Sequence, residues 1–173
     1  MRKILVVIDM QNDFIDGALG TAEALAIVEN VKAKIREYDQ KDIFVTMDTH
    51  APDYLSTQEG RNLPVEHCIK GTDGWKLRGD IAELLPEAMV YEKPTFGSIK
   101  LAEDIVKIAA DEDIEIELIG LCTDICVVSN ALLFKAAMPE VTISVDPACC
   151  AGVTPESHDA ALKTMQMCQI MQK

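Results

Sequence analysis

The sequence predicts an α/β fold in which a doubly wound parallel sheet of six strands carries helices on both faces. One observation is that the short strand segments are largely apolar runs, which is typical of parallel strands buried on both faces. Another is that most of these segments alternate with stretches of helical periodicity. The predicted strands are Ile4 to Ile8, Ile43 to Met47, Met89 to Tyr91, Ile116 to Leu121, Val141 to Val145 and Cys168 to Met171. The predicted helices are Ala22 to Tyr38, Ile99 to Ala110, Asp124 to Ala137 and Pro155 to Met165.

One region breaks this alternation. Residues 48–79 are rich in Pro, Gly, Asn, Asp and Thr and show little periodicity. A connection of that length in a compact domain is usually functional. The chain shows no internal repeat, low-complexity tract or linker, so we expect a single domain over residues 1–173, with 48–79 as a loop region for metal and substrate.

Composition excludes several classes of partner. The net charge of −13 disfavours binding to nucleic acid or to an anionic membrane surface. No apolar run approaches the roughly 20 residues of a membrane span, and Met1 leads almost directly into a strand without a leader-like segment. We therefore expect a cytoplasmic protein, in which the six cysteines are reduced thiols.

Polar side chains with chemical potential follow four of the predicted strands. Asp9 ends the first strand, Asp48 and His50 end the second, Lys93 ends the third, and Cys126 follows the fourth. Ligands of open α/β sheets bind outside the carboxyl ends of the strands. Taken alone, Asp9 is equally well a turn residue and Lys93 a solvated lysine. Their coincidence with Cys126 at one sheet edge favours a shared site.

Cys126 lies about one turn into a helix that begins directly after a buried strand. Thr123 and Asp124 are predicted to cap the start of this helix. The macrodipole and the free N–H groups at such an end favour a thiolate and a nearby oxyanion. By position alone, however, a cysteine at such a junction is more often a small buried hydrophobe.

Asp48, His50 and His67 form a second group of interest. The first two are two residues apart at a strand end, so their side chains project to the same side. One carboxylate and two imidazoles suit zinc, manganese or iron, with water completing the coordination. Histidines of a surface loop often bind no metal, and the spacing of these residues alone does not exclude that alternative. The third histidine, His158, is predicted to be structural.

The chain resembles the cysteine hydrolase superfamily that includes the nicotinamidases and the isochorismatase-like proteins. Six blocks in the same order carry this resemblance over essentially the whole chain. They are Val7 to Phe14 (VIDMQNDF), Asp48 to His50 (DTH), His67 to Thr72 (HCIKGT), Lys93 to Phe96 (KPTF), Gly120 to Cys126 (GLCTDIC) and Asp146 to Gly152 (DPACCAG). Any one block is a weak signal, whereas the six together are a strong one.

The resemblance implies a catalytic triad of Asp9, Lys93 and Cys126. In such enzymes the acid accepts the thiol proton, the sulfur attacks a carboxamide carbon, ammonia leaves, and water hydrolyses the thioester. The resemblance also implies a cis peptide between Leu121 and Cys122, with the backbone N–H groups of Cys122 and Cys126 forming an oxyanion hole. Family members that act on isochorismate generally lack the thiol, so its presence favours amide hydrolysis.

For the metal and the pocket, the resemblance implies that a divalent ion, zinc or else manganese or iron, holds the pyridine nitrogen of nicotinamide. Phe14 and Phe96 are candidates to contact a flat ring, although core packing explains either residue equally well. Many nicotinamidases carry an aromatic residue shortly before the second metal histidine, whereas Leu63 to Glu66 stands here. The single tryptophan, Trp75, lies beyond His67.

The reaction best supported by the sequence is hydrolysis of nicotinamide to nicotinate and ammonia, a step of NAD salvage. Alternatives are hydrolysis of another small amide or carbamoyl compound, a redox role for Cys122 and Cys126, and a non-catalytic small-molecule-binding domain. A nucleotide binder predicts a glycine-rich loop after the first strand, where Asp9 to Phe14 stands instead. The expected partners are a small amide and, by resemblance, further copies of the chain in a dimer or tetramer.

Overall fold

The computed structural model describes residues 1–173 and contains one six-stranded sheet in which every pair of neighbouring strands is parallel. The strands are β1 Arg2–Ile8, β2 Ile43–Asp48, β3 Met89–Lys93, β4 Ile114–Leu121, β5 Thr142–Ala151 and β6 Met171–Gln172. Their order across the sheet is β3-β2-β1-β4-β5-β6. The predicted doubly wound parallel sheet is confirmed.

Helices cover both faces of the sheet because each central strand is apolar on both sides. The helices are α1 Asn12–Ile15, α2 Ala22–Ala26, α3 Val28–Ile35, α4 Gln58–Asn62, α5 Gly79–Ala82, α6 Ile99–Asp111, α7 Val128–Ala137 and α8 Pro155–Met167. On one face of β1, Ile4, Val6 and Ile8 pack with helices α6, α7 and α8. On the other face, Leu5 and Val7 pack with helices α1, α2, α3 and α5. No helix in the molecule has both the length and the apolar character that crossing a membrane requires.

The chain reverses its winding direction between β1 and β4. From β1 the strands are added outward to β2 and β3, and the chain then returns to place β4 on the other side of β1. Gly120 of β4 pairs with Ile8 at this point and has φ +115°. A Cβ at Gly120 would lie 2.1 Å from the Ile8 carbonyl oxygen, so only glycine lets the strands approach here. Crevices at such a reversal are the usual ligand sites of doubly wound folds.

Three predicted elements need correction in number or extent, beyond shifts of one or two residues at other ends. The single helix predicted for Ala22 to Tyr38 is two helices that meet at Ile27. The strand predicted for Cys168 to Met171 is wrong at its start, because Cys168 ends α8 with its N–H bonded to the last helical carbonyls and its side chain exposed. Strand β6 begins only at Met171. Strand β5 runs beyond the predicted Val145, with a register shift against β4.

Candidate active site and metal centre

Asp9, Lys93 and Cys126 meet at the carboxyl edge of the sheet. The ammonium nitrogen of Lys93 lies 2.7 Å from Asp9 Oδ2 and 3.4 Å from the sulfur of Cys126. All three side chains are buried, with Cys126 5% exposed. Lys93 reaches Asp9 across β2, where its register partner is Asp48. The structure therefore brings together the three residues that the sequence placed at separate strand ends.

The backbone at the end of β1 directs Asp9 into this group. Asp9 has φ +47°, a left-handed conformation that is uncommon outside glycine and that concentrates at functional sites. Thr46 of the neighbouring strand donates its hydroxyl to Asp9 Oδ1 at 2.7 Å. One carboxylate oxygen is thus held by Thr46 and the other faces Lys93.

Cys126 lies in a single π-helical turn, Thr123–Val127, that leads into α7. Such turns are rare and are frequent at functional sites. The predicted capping by Thr123 and Asp124 is wrong: the Thr123 hydroxyl is 2.8 Å from Nδ1 of His158, and the Asp124 carboxylate accepts the N–H of Val153. These contacts join the π-helical turn to the region around the start of α8, where His158 has a structural contact. The Leu121–Cys122 peptide bond is cis, as the resemblance implies.

Burial and neighbouring charges together set the pKa values of these three groups. It raises the pKa of the Cys126 thiol well above its usual range, the nearby Asp9 carboxylate adds to this rise, and the Lys93 charge opposes it. Burial also raises the pKa of Asp9 in spite of the attraction of Lys93. For Lys93, burial is outweighed by Asp9, Cys126 and Asp48, which raise its pKa. Burial thus favours the neutral thiol at Cys126, beside a carboxyl group of increased basicity.

Four side chains next to this group can hold a metal ion. Ligand atoms of Asp48, His50, Glu59 and His67 all lie within 4.8 Å of one another. The Asp48 carboxylate is 2.9 Å from Nε2 of His50 and 3.5 Å from Nε2 of His67. Glu59 Oε1 lies 3.7 Å and 3.8 Å from the same two nitrogens. The donor set of two imidazoles and two carboxylates suits a divalent ion such as zinc, manganese or iron.

The orientation of the donors also fits a metal. His67 Nδ1 is 2.8 Å from the Val65 carbonyl oxygen, so Nδ1 carries the proton and Nε2 keeps its lone pair toward the cluster. Asp48 is ionised, because its contacts with the His50 and His67 rings and the Lys93 charge outweigh its burial and lower its pKa. The cluster thus presents ionised and neutral donors of the kind a metal requires.

Residues that follow β1 fix the long 48–79 segment against the sheet. Gln11 accepts the N–H of Asp48 and donates to the carbonyl oxygens of Asp48 and Trp75 at 2.8 and 2.7 Å. Asp13 accepts the N–H of Cys68 at 2.8 Å, directly after His67. The segment is therefore tied to the same short stretch at several points, which sets the distance between the side chains that could hold a metal.

A cavity of about 660 Å³ opens onto both groups. The side chains that line it are Phe14, Leu19, Asp48, His50, Thr57, Gln58, Glu59, Asn62, Leu63, His67, Pro94, Thr95, Phe96, Cys122, Ile125, Cys126 and Val153. Phe14 also packs on the His67 ring at a centroid distance of 5.5 Å, so it serves the core and the cavity together. Trp75 is absent from the lining, because its indole nitrogen donates to the Thr49 hydroxyl instead.

Sequence reasoning missed three residues of this site. Glu59 lies in the short helix α4 and carried no signal among 29 acidic residues. Thr46 is one polar residue within a buried strand. Asn130 is buried on α7, where it donates to the Cys126 carbonyl at 2.8 Å and to that of Phe96 at 3.1 Å. A polar residue among the apolar positions of α7 was the available signal for Asn130.

Comparison with known proteins finds a family match over nearly the whole chain. The isochorismatase domain matches residues 3–172. The chain belongs to the isochorismatase family. A relative in Bacillus subtilis, the isochorismatase family protein PncA, is 30% identical over 143 residues, which are 76% of this chain and 78% of the relative.

Solved structures of the isochorismatase family superpose on the whole chain. Nicotinamidase/pyrazinamidase PncA from Bacillus subtilis is 27% identical, with a TM-score of 0.83 and 99% of each chain covered. Pyrazinamidase of Pyrococcus horikoshii in complex with zinc is 25% identical, with a TM-score of 0.78, and covers 100% of this chain and 99% of its own. N-carbamoylsarcosine amidase from Thermoplasma acidophilum is 28% identical, with a TM-score of 0.75, and covers 100% and 96%.

Proposed function

We propose that the protein is a metal-dependent cysteine amidohydrolase whose leading substrate is nicotinamide, converted to nicotinate and ammonia. The observation that carries this proposal is the buried contact of Lys93 with both Asp9 and Cys126, 2.7 and 3.4 Å away, where Cys126 lines a cavity that also reaches the candidate metal cluster. The similarity to nicotinamidases and to an amidase supports the same class of reaction.

In the first half of the reaction, Asp9 takes the proton of the Cys126 thiol as the sulfur attacks the carboxamide carbon. The raised pKa of Asp9 makes it a stronger base than an ordinary carboxylate. The ammonium of Lys93 offsets the negative charge that both groups carry along this path. Backbone N–H groups of Cys122 and Cys126 are the proposed donors to the oxyanion, each contributing about 3 kcal/mol in comparable enzymes.

In the second half, the protonated Asp9 gives its proton to the departing nitrogen. The carbon–nitrogen bond breaks, ammonia leaves, and a thioester remains on Cys126. Asp9 then takes a proton from a water molecule, whose oxygen attacks the thioester carbon. The carbon–sulfur bond breaks, the carboxylic acid is released, and the thiol regains its proton from Asp9.

Asp48, His50, Glu59 and His67 are the residues that would hold a divalent ion, with zinc the leading candidate. Bound there, the ion supplies a Lewis-acidic position for a ring nitrogen. Asp48 would have a second role, since its carboxylate also lies 3.7 Å from the Lys93 ammonium. Its negative charge helps to keep Lys93 protonated beside the nucleophile.

The nucleophile is tested by incubating the protein with nicotinamide and measuring ammonia and nicotinate. We expect Cys126→Ala to lower the rate at least about 10⁴-fold, since removal of a nucleophile has effects of this size or larger. Cys168→Ala, which changes an exposed thiol outside the cavity, is the matched control and should keep the wild-type rate. Unchanged ammonia release by Cys126→Ala would contradict the proposal.

The metal is tested by measuring bound metal and activity together. Chelation should abolish turnover, and re-addition of zinc, manganese or iron should restore it to different extents. His50→Ala should lose both bound metal and activity. Glu66→Gln, an exposed acid in the same segment and outside the cluster, should retain both. Full activity in a metal-free sample would refute the metal dependence.

Related amides are the second candidate substrates, because the chain is 28% identical to an N-carbamoylsarcosine amidase. Turnover of N-carbamoylsarcosine without turnover of nicotinamide would keep the enzyme class and change the substrate. The cytoplasmic location and the assembly into a dimer or tetramer stay predictions, for which microscopy of the tagged protein and light scattering on a sizing column are the tests.

A further inference from the structure

The cavity has an apolar mouth as well as a reactive floor. Three large apolar side chains lie at the cavity and remain well exposed: Leu63 at 37%, Phe96 at 43% and Val153 at 50%. They come from three separate parts of the chain, namely the end of α4, the turn after β3 and the loop after β5. Exposed apolar side chains scattered over a surface need no explanation, but three that converge on one cavity indicate a surface that a ligand covers.

The size of the cavity points in the same direction. At about 30 Å³ for each liquid water molecule, about 660 Å³ corresponds to roughly 20 waters, a volume typical of pockets for drug-sized ligands. A single pyridine ring with a carboxamide fills only the floor of such a space, between Cys126 and the metal cluster. The outer part, beside Leu63, Phe96 and Val153, is left for another portion of the substrate.

Around this outer part of the cavity, the apolar and the polar side chains lie in different places. Leu19 and Ile125 continue the apolar wall inward from the mouth. The exposed polar side chains Gln58 and Asn62, one helical turn apart on α4, stand at the rim. The charged groups of the cavity lie in the metal cluster and not at this mouth.

From these observations we propose that the preferred substrates are aromatic carboxamides that carry an uncharged apolar substituent on the ring. The carboxamide lies at Cys126, and the substituent lies against Leu63, Phe96 and Val153. Leu63 is the main specificity-determining residue, because it directly follows α4, which carries Glu59 of the candidate metal cluster, and its side chain lies at the mouth. This inference rests on the amidohydrolase function proposed above, and it assigns the class of substrate for the same site.

The test compares kcat/KM for nicotinamide with kcat/KM for nicotinamides bearing a methyl, propyl or phenyl group on a ring carbon remote from the carboxamide. Each well-placed methylene in an apolar pocket is worth about tenfold or more in specificity. We expect at least one of the propyl and phenyl compounds to exceed nicotinamide by about tenfold in kcat/KM. Values for every substituted compound at or below that of nicotinamide would overturn the inference while the amidohydrolase function stands.

Two variants at Leu63 then locate the effect. Leu63→Trp fills the mouth and should lower the ratio of kcat/KM for the propyl or phenyl compound to that for nicotinamide by at least tenfold. Leu63→Ala should lower the same ratio by removing apolar contact. Leu55→Ala changes a leucine of similar exposure, 49%, that lies outside the cavity lining, and it should leave the ratio unchanged. A ratio unaffected by either Leu63 variant would contradict the assignment of this residue.

The two proposals fail in different ways. If neither nicotinamide nor any substituted compound nor N-carbamoylsarcosine is hydrolysed, the amidohydrolase function fails and the substrate class fails with it. If nicotinamide alone is hydrolysed, only the substrate class fails. Circular dichroism of the Leu63 variants, whose changed side chain is partly exposed, separates a loss of specificity from a loss of folding.

Discussion

Two buried carboxylates of the sheet, Asp9 and Glu117, lie beside lysines, and they differ in how well their charge is compensated. At the candidate site, Asp9 has one ammonium, Lys93, and one hydroxyl, Thr46. Toward the middle of β4, Glu117 has two ammonium groups: Lys173 lies 2.7 Å and Lys34 3.1 Å from its oxygens. The phenol of Tyr38 also donates to Glu117 at 2.9 Å.

This difference in compensation reverses the direction of the pKa shift. Burial raises the pKa of Asp9, and its partners do not overcome that effect. Burial acts on Glu117 in the same direction, but hydrogen bonds from Lys173, Tyr38 and Lys34 prevail and lower its pKa. A buried carboxyl with few donors keeps its affinity for a proton, as a catalytic base requires, whereas one with many donors becomes a permanent anion that fixes structure.

The largest expected contrast is in activity. Asp9→Asn removes the proton acceptor and should lower kcat/KM for nicotinamide by about 10²- to 10⁴-fold. Glu117→Gln is the matched change at the other carboxylate, and we expect its activity within about threefold of wild type at a temperature where it is folded. Steady-state kinetics on both variants measures the contrast. Equal losses in the two variants would remove the distinction between the two carboxylates.

A smaller effect is expected in the pH profile of kcat/KM. Asp9 must be ionised to take the thiol proton, so a raised pKa places the acid limb above the ordinary carboxyl range near 3.9, and activity falls as the pH drops through it. The Thr46 hydroxyl lowers the pKa of Asp9, so Thr46→Val should move this limb to still higher pH. Tyr38→Phe, which removes a donor to Glu117, should leave the limb in place.

The smallest expected effect is on stability. The lowered pKa of Glu117 means that its ionised form stabilises the fold above the unfolded value near 4.3, and that this contribution is lost as the pH falls through the folded pKa. Glu117→Gln should therefore reduce the free energy of unfolding by about 2 kcal/mol at pH 7, and by little in strong acid. Urea titrations at both pH values measure this, with the exposed Glu87→Gln as control. A loss independent of pH would assign the effect to packing.

The sheet and the triad were predictable for one physical reason. Strands covered on both faces are largely apolar, so the end of each apolar run marks the sheet edge: Asp9 follows its run directly, Lys93 is two residues beyond Tyr91, and Cys126 is five residues beyond Leu121. Glu59 escaped prediction because its position depends on the path of an irregular segment, which no periodicity records. Cys168 was misplaced because an apolar residue at the end of a helix has the same local pattern as one that begins a strand.

The attachment of the 48–79 segment determines what would follow if a protease cleaved it. Residues 61–66 are exposed, whereas the chain on either side is held, on one side by Gln11 and on the other by Asp13. A protease that nicks this stretch would leave Glu59 on one fragment and His67 on the other, with both fragments still attached to the sheet. An ion bound between these two side chains would stabilise the association of the fragments, so the nicked protein would separate at a lower temperature once the ion is withdrawn.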